Sequence, residues 1–372
     1  MPRRSTPPFR ADHVGSLLRP PAVLAARRQA EAGNLPHEEL RRAEDEAIQA
    51  AVQMQERIGL QAATDGEFRR TSWHMDFIYQ LGGVSQADER LKVHFRNREG
   101  ALDFTAAALR VHDRIRLNQP IFADAFQFLK GCVTSAVPKL TIPSPSMVHY
   151  RGGRAAIDPE VYPDLDQFWS DLSQAYAQEI QALGALGCTY LQLDDTSLAY
   201  LNDPAQREML RAQGVDAEHQ HLINIRQINA AIANRPPGMA VTTHSCRGNF
   251  RSSWVAEGSY DFVAEALFSE LQVDGFFLEF DDERSGGFAP LRFVPPGKMV
   301  VLGLVTTKRG ELESKDQLKR RIEAASHYLP LEQLCLSPQC GFSSTVDGNQ
   351  LSLEDQLAKL ELVVETAGEV WG

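Results

Sequence analysis

Residues 165–187, LDQFWSDLSQAYAQEIQALGALG, and 189–197, TYLQLDDTS, decide the fold when read together with residues 217–246. The first stretch spaces its apolar residues as one face of a helix and stops at Gly187. The second is a short apolar run that ends in polar residues. A second helical pattern, AEHQHLINIRQINAAIAN (217–234), stops before Pro236, and MAVTTHSC (239–246) is again an apolar run with a polar end. Working outward, the same unit recurs on both sides. Further apolar runs are ADHVGSLL (11–18), LQAATDGE (60–67), AVPKLTIPSPS (136–146), DGFFLEFDD (274–282), KMVVLGLVTT (298–307) and QLCLSPQCGF (333–342), with helical patterns over 37–59, 259–271, 314–329 and 353–367. Eight such runs in 372 residues predict an α/β fold, a (β/α)8 TIM barrel, with a doubly wound open sheet as the alternative. Residues 68–135 are too long for a simple connection and read as an insertion between the second and third strands, while 198–216 read as an extended loop. No internal repeat or linker breaks the chain, so 1–372 reads as one catalytic domain.

Composition narrows the function. Hydrophobic residues make up 43% and charged residues 23%, enough to bury a core and to exclude disorder as the main state. The longest apolar run, near Met299–Val305, is about seven residues, against roughly 20 for a membrane helix. The N-terminal stretch has basic residues but no apolar segment of a secretory signal, so a cytoplasmic protein is expected, with no membrane partner. A net charge of −11 without a basic stripe speaks against nucleic acid as a partner. Five cysteines, an odd number, argue against a disulfide framework and leave thiols available for metal or catalysis.

The unusual polar residues stand at the ends of the predicted strands. They are Asp65 and Glu67, Asp194 and Asp195, His244 and Cys246, the carboxylates Glu279, Asp281 and Asp282, and Cys340. In a barrel these ends converge on one face, where active sites are built. One such residue alone reads as a helix cap or a core thiol; the joint pattern is what matters. His244 and Cys246, two apart on a strand, point to the same side and can share a metal. Cys340 and one carboxylate after the sixth strand complete a set of four suited to tetrahedral zinc, which thiolates favour over magnesium or calcium. Cys132, Cys188 and Cys335 have weaker claims. Two thiolates and a carboxylate give about −3 against Zn²⁺, so the site is near −1 and poorly suited to making hydroxide from water. It suits a substrate thiol that must stay nucleophilic, and the chemistry implied is attack of a zinc thiolate on an alkyl carbon.

HVGSLLRP (13–20), TDGEFRR (64–70), LQLDDTS (191–197), THSCRGN (243–249), FFLEFDD (276–282) and SPQCGF (337–342) occur in this order along the chain. Together they resemble the C-terminal catalytic barrel of the cobalamin-independent methionine synthase family, and among its members the short, single-barrel ones. The resemblance implies zinc held by His244, Cys246, Glu279 and Cys340, selecting Glu279 over Asp281 and Asp282. It implies that Ser16 binds the homocysteine carboxylate, that Glu67 holds the amino group, and that Asp194 stands beside the amino group and the reacting centre. Capping or turn chemistry is the competing account of Ser16 and Glu67. The activity implied is methyl transfer to homocysteine to give methionine, from methyl-folate or another methylated compound.

One element departs from the family pattern. The long members carry a histidine after the seventh strand that assists protonation of the folate donor; here GLVTTKRGELES (303–314) puts Lys308 near that position as the candidate catalytic group. Phe68, Trp73, His74, Phe77 and Trp254 lie where an apolar or planar donor could pack, and ordinary core packing explains them equally. The alternatives are a related alkyltransferase using another thiol, such as coenzyme M with an epoxide, a zinc hydrolase, and a non-catalytic barrel with structural zinc. Arg19, Arg69, Arg70 and Lys308 keep the sulfonate-bearing thiol open, Glu67 favours an amino-acid thiol, and no His-rich hydrolase site is visible. A homodimer is a candidate assembly that the sequence does not decide.

Overall fold

The apolar runs pair in chain order. A computed structural model describes residues 4–98, 100–150 and 152–372. Its strands are β1 (Ala62–Ala63), β2 (Gly82–Asn97), β3 (Gly100–Arg116), β4 (Val137–Pro143), β5 (Tyr190–Asp195), β6 (Ala240–Ser245), β7 (Gly275–Glu279), β8 (Met299–Val305) and β9 (Leu334–Pro338). Seven of them form one parallel sheet in the order β1-β4-β5-β6-β7-β8-β9. Every residue of β5, β7, β8 and β9 is buried, the signature of a parallel sheet covered on both faces. The sheet is curled and TIM-barrel-like, with helices following its strands.

The run 11–18 departs from the expected strand. Only Ala11 makes a ladder contact, a parallel bridge to Leu336 of β9. The reason lies in its carbonyls, which accept side-chain donors instead of strand bonds: Lys139 Nζ to His13 at 2.5 Å, Gln192 Nε2 to Val14 at 2.6 Å and Thr64 Oγ1 to Gly15 at 2.6 Å. Gly15, at φ 150°, lets this backbone approach β4 closely; a Cβ there would lie 2.7 Å from Thr141 Cγ2. The Leu17 N–H reaches the Gly66 carbonyl at 3.1 Å, so the segment runs from β9 to the turn after β1.

Between β1 and β4 the chain forms the helix Met75–Ile78, the antiparallel ribbon β2–β3 and the helix Ala123–Cys132. The ribbon docks on the loop after β6 through a main-chain pair: the Arg96 N–H donates to the Trp254 carbonyl at 2.7 Å, and the reverse bond is 2.8 Å. The expected extended loop over 198–216 is instead mostly helical, over Ser197–Tyr200 and Pro204–Ala212. Asp203 caps the latter by accepting from the Ala205 N–H, and Pro204 fits its first turn. Among the described residues no helix is long and apolar enough to cross a membrane.

The sheet interior holds a buried ion pair. Lys139 Nζ lies 3.2 Å from Asp12 Oδ1 and over the Phe277 ring at 4.1 Å, while the Tyr190 hydroxyl donates to Asp12 at 2.8 Å. Removing one partner of such a pair costs about 3–5 kcal/mol. Outside the sheet, His149 is buried with its ring 5.0 Å from Trp169, and burial lowers its pKa from 6.5 to about 4. The folded state therefore binds fewer protons than the unfolded chain between those values. Its contribution to stability is present above pH 6.5 and lost as pH falls toward 4, about 3 kcal/mol in all. Acid unfolding of His149→Gln followed by circular dichroism should accordingly show a shallower slope between pH 6.5 and 4; an unchanged slope rules the account out.

Candidate functional site

Parallel register sets the site. Asp194 of β5 is paired with His244 of β6, and His244 with Phe277 of β7, two residues before Glu279. Alternation along the strands puts Gln192 and Asp194 on one face, as it does His244 and Cys246. Cys246 leaves β6 with its N–H bonded to the Asp195 carbonyl at 2.8 Å, and Cys340 follows β9.

These elements bring His244, Cys246, Glu279 and Cys340 together. One ligand atom from each lies within 4.8 Å of all the others, and all four residues are buried. The two sulfurs are 3.5 Å apart. Neither His244 ring nitrogen has an oxygen or nitrogen partner, and the group it faces is the Cys340 sulfur, an arrangement that burial makes costly unless something else binds the ring. Both Glu279 oxygens are oriented, Oε1 by the Arg247 N–H at 2.8 Å and Oε2 by Arg284 at 3.4 Å. The Gly248 N–H points at Cys246 Sγ from 3.4 Å. Burial and the charge of Cys340 raise the Glu279 pKa. Burial opposes charge on His244, yet Cys340, Asp194 and Glu279 together lift its pKa to about 9. The Cys246 thiol beside it and the His244 imidazolium hold Cys340 well below the usual thiol range, while Cys246 is pushed up by the same neighbour and by burial. The cluster by itself thus attracts positive charge, and its donors suit a tetrahedral soft-metal site.

A cleft of about 700 Å³, counting its open mouth, reaches this cluster. Ser16, Glu67, Asp194, Trp73 and His74 line it with three of the four ligand residues, so these sequence-derived candidates meet in one place. Glu67 is 3% exposed and sits at φ 60°, a left-handed conformation uncommon outside glycine. Its Oε1 accepts from Thr141 Oγ1 at 2.8 Å, and its Oε2 has no hydrogen-bond partner. Burial raises its pKa. Asp194 Oδ1 accepts from Gln192 at 2.7 Å, and burial lifts its pKa to about 7 against the pull of His244. Ser16 Oγ accepts from the Ser343 N–H at 3.2 Å beside Gly341, where an added Cβ would fall 2.0 Å from that oxygen. Asp195, by contrast, is held by the hydroxyls of Ser144, Ser146 and Ser197 and supports the strand end.

Other candidates go elsewhere. Phe68 packs with Leu17, Leu18 and Ile48 in a separate core cluster, and Phe77 packs against Phe122 and Tyr176. Trp254 lies under Arg284, whose guanidinium carbon is 4.9 Å from its ring centroid, with Nε1 bonded to Glu257. Lys308 Nζ is held by three oxygens of the loop after β6, Gly248 O, Asn249 Oδ1 and Ser253 O, at 3.1–3.4 Å. Arg19 is spent on carbonyls of residues 67, 70, 343 and 345, and Arg70 on Thr141 and, at 3.7 Å, on Glu67 Oε1. Arg69 pairs with Glu44 and Asp45. None of these cations lines the cleft.

Sequence reading missed the upper wall. Val93, Phe95 and Phe104 from the β2–β3 ribbon, with Tyr200 and Phe250, close the cleft. The available signal was the alternation of polar and apolar residues over 92–95 and 102–105, where Val93 pairs with Phe104 and Phe95 with Leu102.

Residues 9–369 match the family described as the cobalamin-independent synthase catalytic domain. YxjH of Bacillus subtilis, described as uncharacterized, is 46% identical over 98% of this chain and 95% of its own length. A protein named methionine synthase from Pyrococcus abyssi is 25% identical over 88% of this chain and 84% of its own. Among solved structures, a Listeria monocytogenes protein described as a candidate vitamin-B12 independent methionine synthase is 37% identical, with a TM-score of 0.79 over 99% of this chain and 100% of that one.

Proposed function

The chain belongs to the cobalamin-independent synthase family and is a methyltransferase, and on that premise we propose that it methylates homocysteine to methionine with zinc held by His244, Cys246, Glu279 and Cys340. The observation that carries this reading is the convergence of that ligand set with an unpaired Glu67 oxygen in one cleft. Zinc would supply a Lewis acid that lowers the pKa of the incoming thiol without depriving it of nucleophilicity.

The chain's own residues do the rest. Glu67 Oε2, buried and without a partner, receives the substrate ammonium group. Ser16, whose Oγ packs against Gly341, receives the carboxylate. Asp194 lines the cleft in register with His244 and takes a second bond from the ammonium group. Arg284 and the Arg247 N–H fix the carboxylate of Glu279. Lys308 acts as a positioning residue that secures the loop carrying Asn249 and Phe250. The absence of cations from the cleft, among the described residues, disfavours a sulfonate-bearing thiol. We read residues 11–16 as the eighth stave of a barrel and 68–135 as an insertion in one domain acting in the cytoplasm.

The test is metal analysis of the purified protein with a methionine assay. Homocysteine is offered with methyl-folates of one and three glutamates, methylcobalamin, S-methylmethionine and small methoxy or N-methyl compounds. Bound zinc and methionine from any donor is the expected result. Consumption of another thiol with homocysteine inert overturns the acceptor assignment.

A further inference from the structure

We propose that the methyl donor is a methylated cation, a sulfonium or quaternary ammonium compound, seated under the aromatic roof that the β2–β3 ribbon lays over the cleft. This rests on the thiol-methylation reading above. Phe95 of β2, Phe104 of β3 and Phe250 of the loop after β6 line the cleft together with Trp73 and Tyr200. The Phe104 and Phe250 ring centroids are 4.3 Å apart, Phe95 is 5.4 Å from Phe250 and 6.3 Å from Phe104. Ring faces attract cations, and clusters of them recognise methylated onium groups.

Charge points the same way. Glu67 and Asp194 line the same cleft, which among the described residues has no lysine or arginine. Glu67, which Arg70 approaches at 3.7 Å, and Asp194 share the ammonium group of the amino-acid thiol, while the thiol's own carboxylate adds a negative charge that no cation of the lining meets, so the cleft keeps a net negative charge toward the second substrate. A polyglutamyl tail meets no counter-charge there. The nearby cations do not line the cleft: Lys308 is held by three loop oxygens, Arg19 by four carbonyls, Arg70 by Thr141 and by Glu67 Oε1 at 3.7 Å, and Arg247 lies over the Tyr260 ring at 4.4 Å.

The incoming thiol gives up its proton to solvent, and the transfer from the resulting thiolate then balances without one. The substrate thiolate donates an electron pair to the methyl carbon, and the new S–CH₃ bond forms. The carbon–heteroatom bond of the onium group breaks, its electron pair stays on the departing sulfur or nitrogen, and that group leaves neutral. No general acid is needed at the leaving group, which agrees with the engagement of Lys308 elsewhere. The roof exists only while the ribbon is docked through the Arg96–Trp254 main-chain pair, so the ribbon is the specificity element.

The test is calorimetric titration of the zinc-loaded full chain. Probes are tetramethylammonium, trimethylsulfonium, choline, its neutral isostere 3,3-dimethylbutan-1-ol, and methyl-folate triglutamate. Choline is expected to bind at least about tenfold more tightly than the isostere, and the two small cations show which heteroatom is preferred. Phe104→Leu and Phe250→Leu weaken cation binding by roughly threefold to thirtyfold and leave the isostere unchanged. Phe104→Tyr keeps the ring face and the affinity, and melting curves confirm that each variant is folded. Equal binding of choline and the isostere, or methyl-folate binding above every cation, overturns the proposal. Methylation of homocysteine by a neutral or anionic donor that the cations do not inhibit overturns it too, and leaves the methyltransferase reading standing. Methyl transfer from a cation to a different thiol supports the roof while overturning homocysteine as acceptor.

Discussion

Cys340→Ala is expected to leave the fold intact while zinc retention is lost and methyl transfer falls by roughly a thousandfold or more. Several kcal/mol of charge stabilisation at the thiol are withdrawn, and each factor of ten is about 1.4 kcal/mol. The fold survives because Cys340 stands just beyond β9, outside the layers of apolar side chains that fill the core. In the metal-free protein Cys340, with Asp194 and Glu279, lifts the His244 pKa to about 9, so loss of the thiolate lowers it. Metal content by mass spectrometry, the melting transition by circular dichroism and methionine formation measure the three effects. The outcome that sinks the catalytic reading is loss of the melting transition along with the metal, as a structural zinc requires.

The second large effect is at Glu67. Glu67→Gln should raise the KM for homocysteine by roughly tenfold to a hundredfold, because a hydrogen bond to a charged group contributes about 1.5–3 kcal/mol. The effect on kcat should be smaller, since the ammonium group keeps its place through the reaction. Glu67→Gly reports on both substrate binding and folding. At φ 60° a non-glycine residue carries about 1–2 kcal/mol of backbone strain, which glycine relieves. The conformation is held from outside, by Arg19 on the Glu67 carbonyl at 2.8 Å and by Asp65 on its N–H at 2.9 Å. That relief is outweighed by the loss of the buried Arg70–Glu67 ion pair at 3.7 Å and of the Thr141 hydrogen bond, so the glycine variant should melt somewhat lower than the parent and also lose homocysteine affinity. A lower melting temperature with an unchanged KM would make Glu67 a turn residue only.

A glutamate in a strained, buried turn with one oxygen unsatisfied supports the proposed substrate-binding role in a way sequence cannot. DGE at 65–67 reads equally well as turn chemistry, and only the unpaired Oε2 in the cleft distinguishes the two. The run 11–18 shows the opposite failure. Its apolar pattern is that of a strand, but three of its carbonyls are claimed by Lys139, Gln192 and Thr64 from across the sheet, and long-range side-chain donors leave no trace in local periodicity.

The order of strands and helices and the residue types at the strand rim are legible in the linear chain. Parallel strands joined by helices must all end on one side, so His244, Cys246, Glu279 and Cys340 were bound to approach one another once the alternation was read. Which aromatic rings face the cleft, and where Lys308 points, follow from packing in three dimensions. Phe68 and Phe77 turn into the core, while Phe95 and Phe104 arrive on a ribbon docked through main-chain bonds between Arg96 and Trp254, more than 150 residues apart along the chain. Such contacts depend on side-chain direction and on the packing of distant segments, and the local spacing of residues encodes neither.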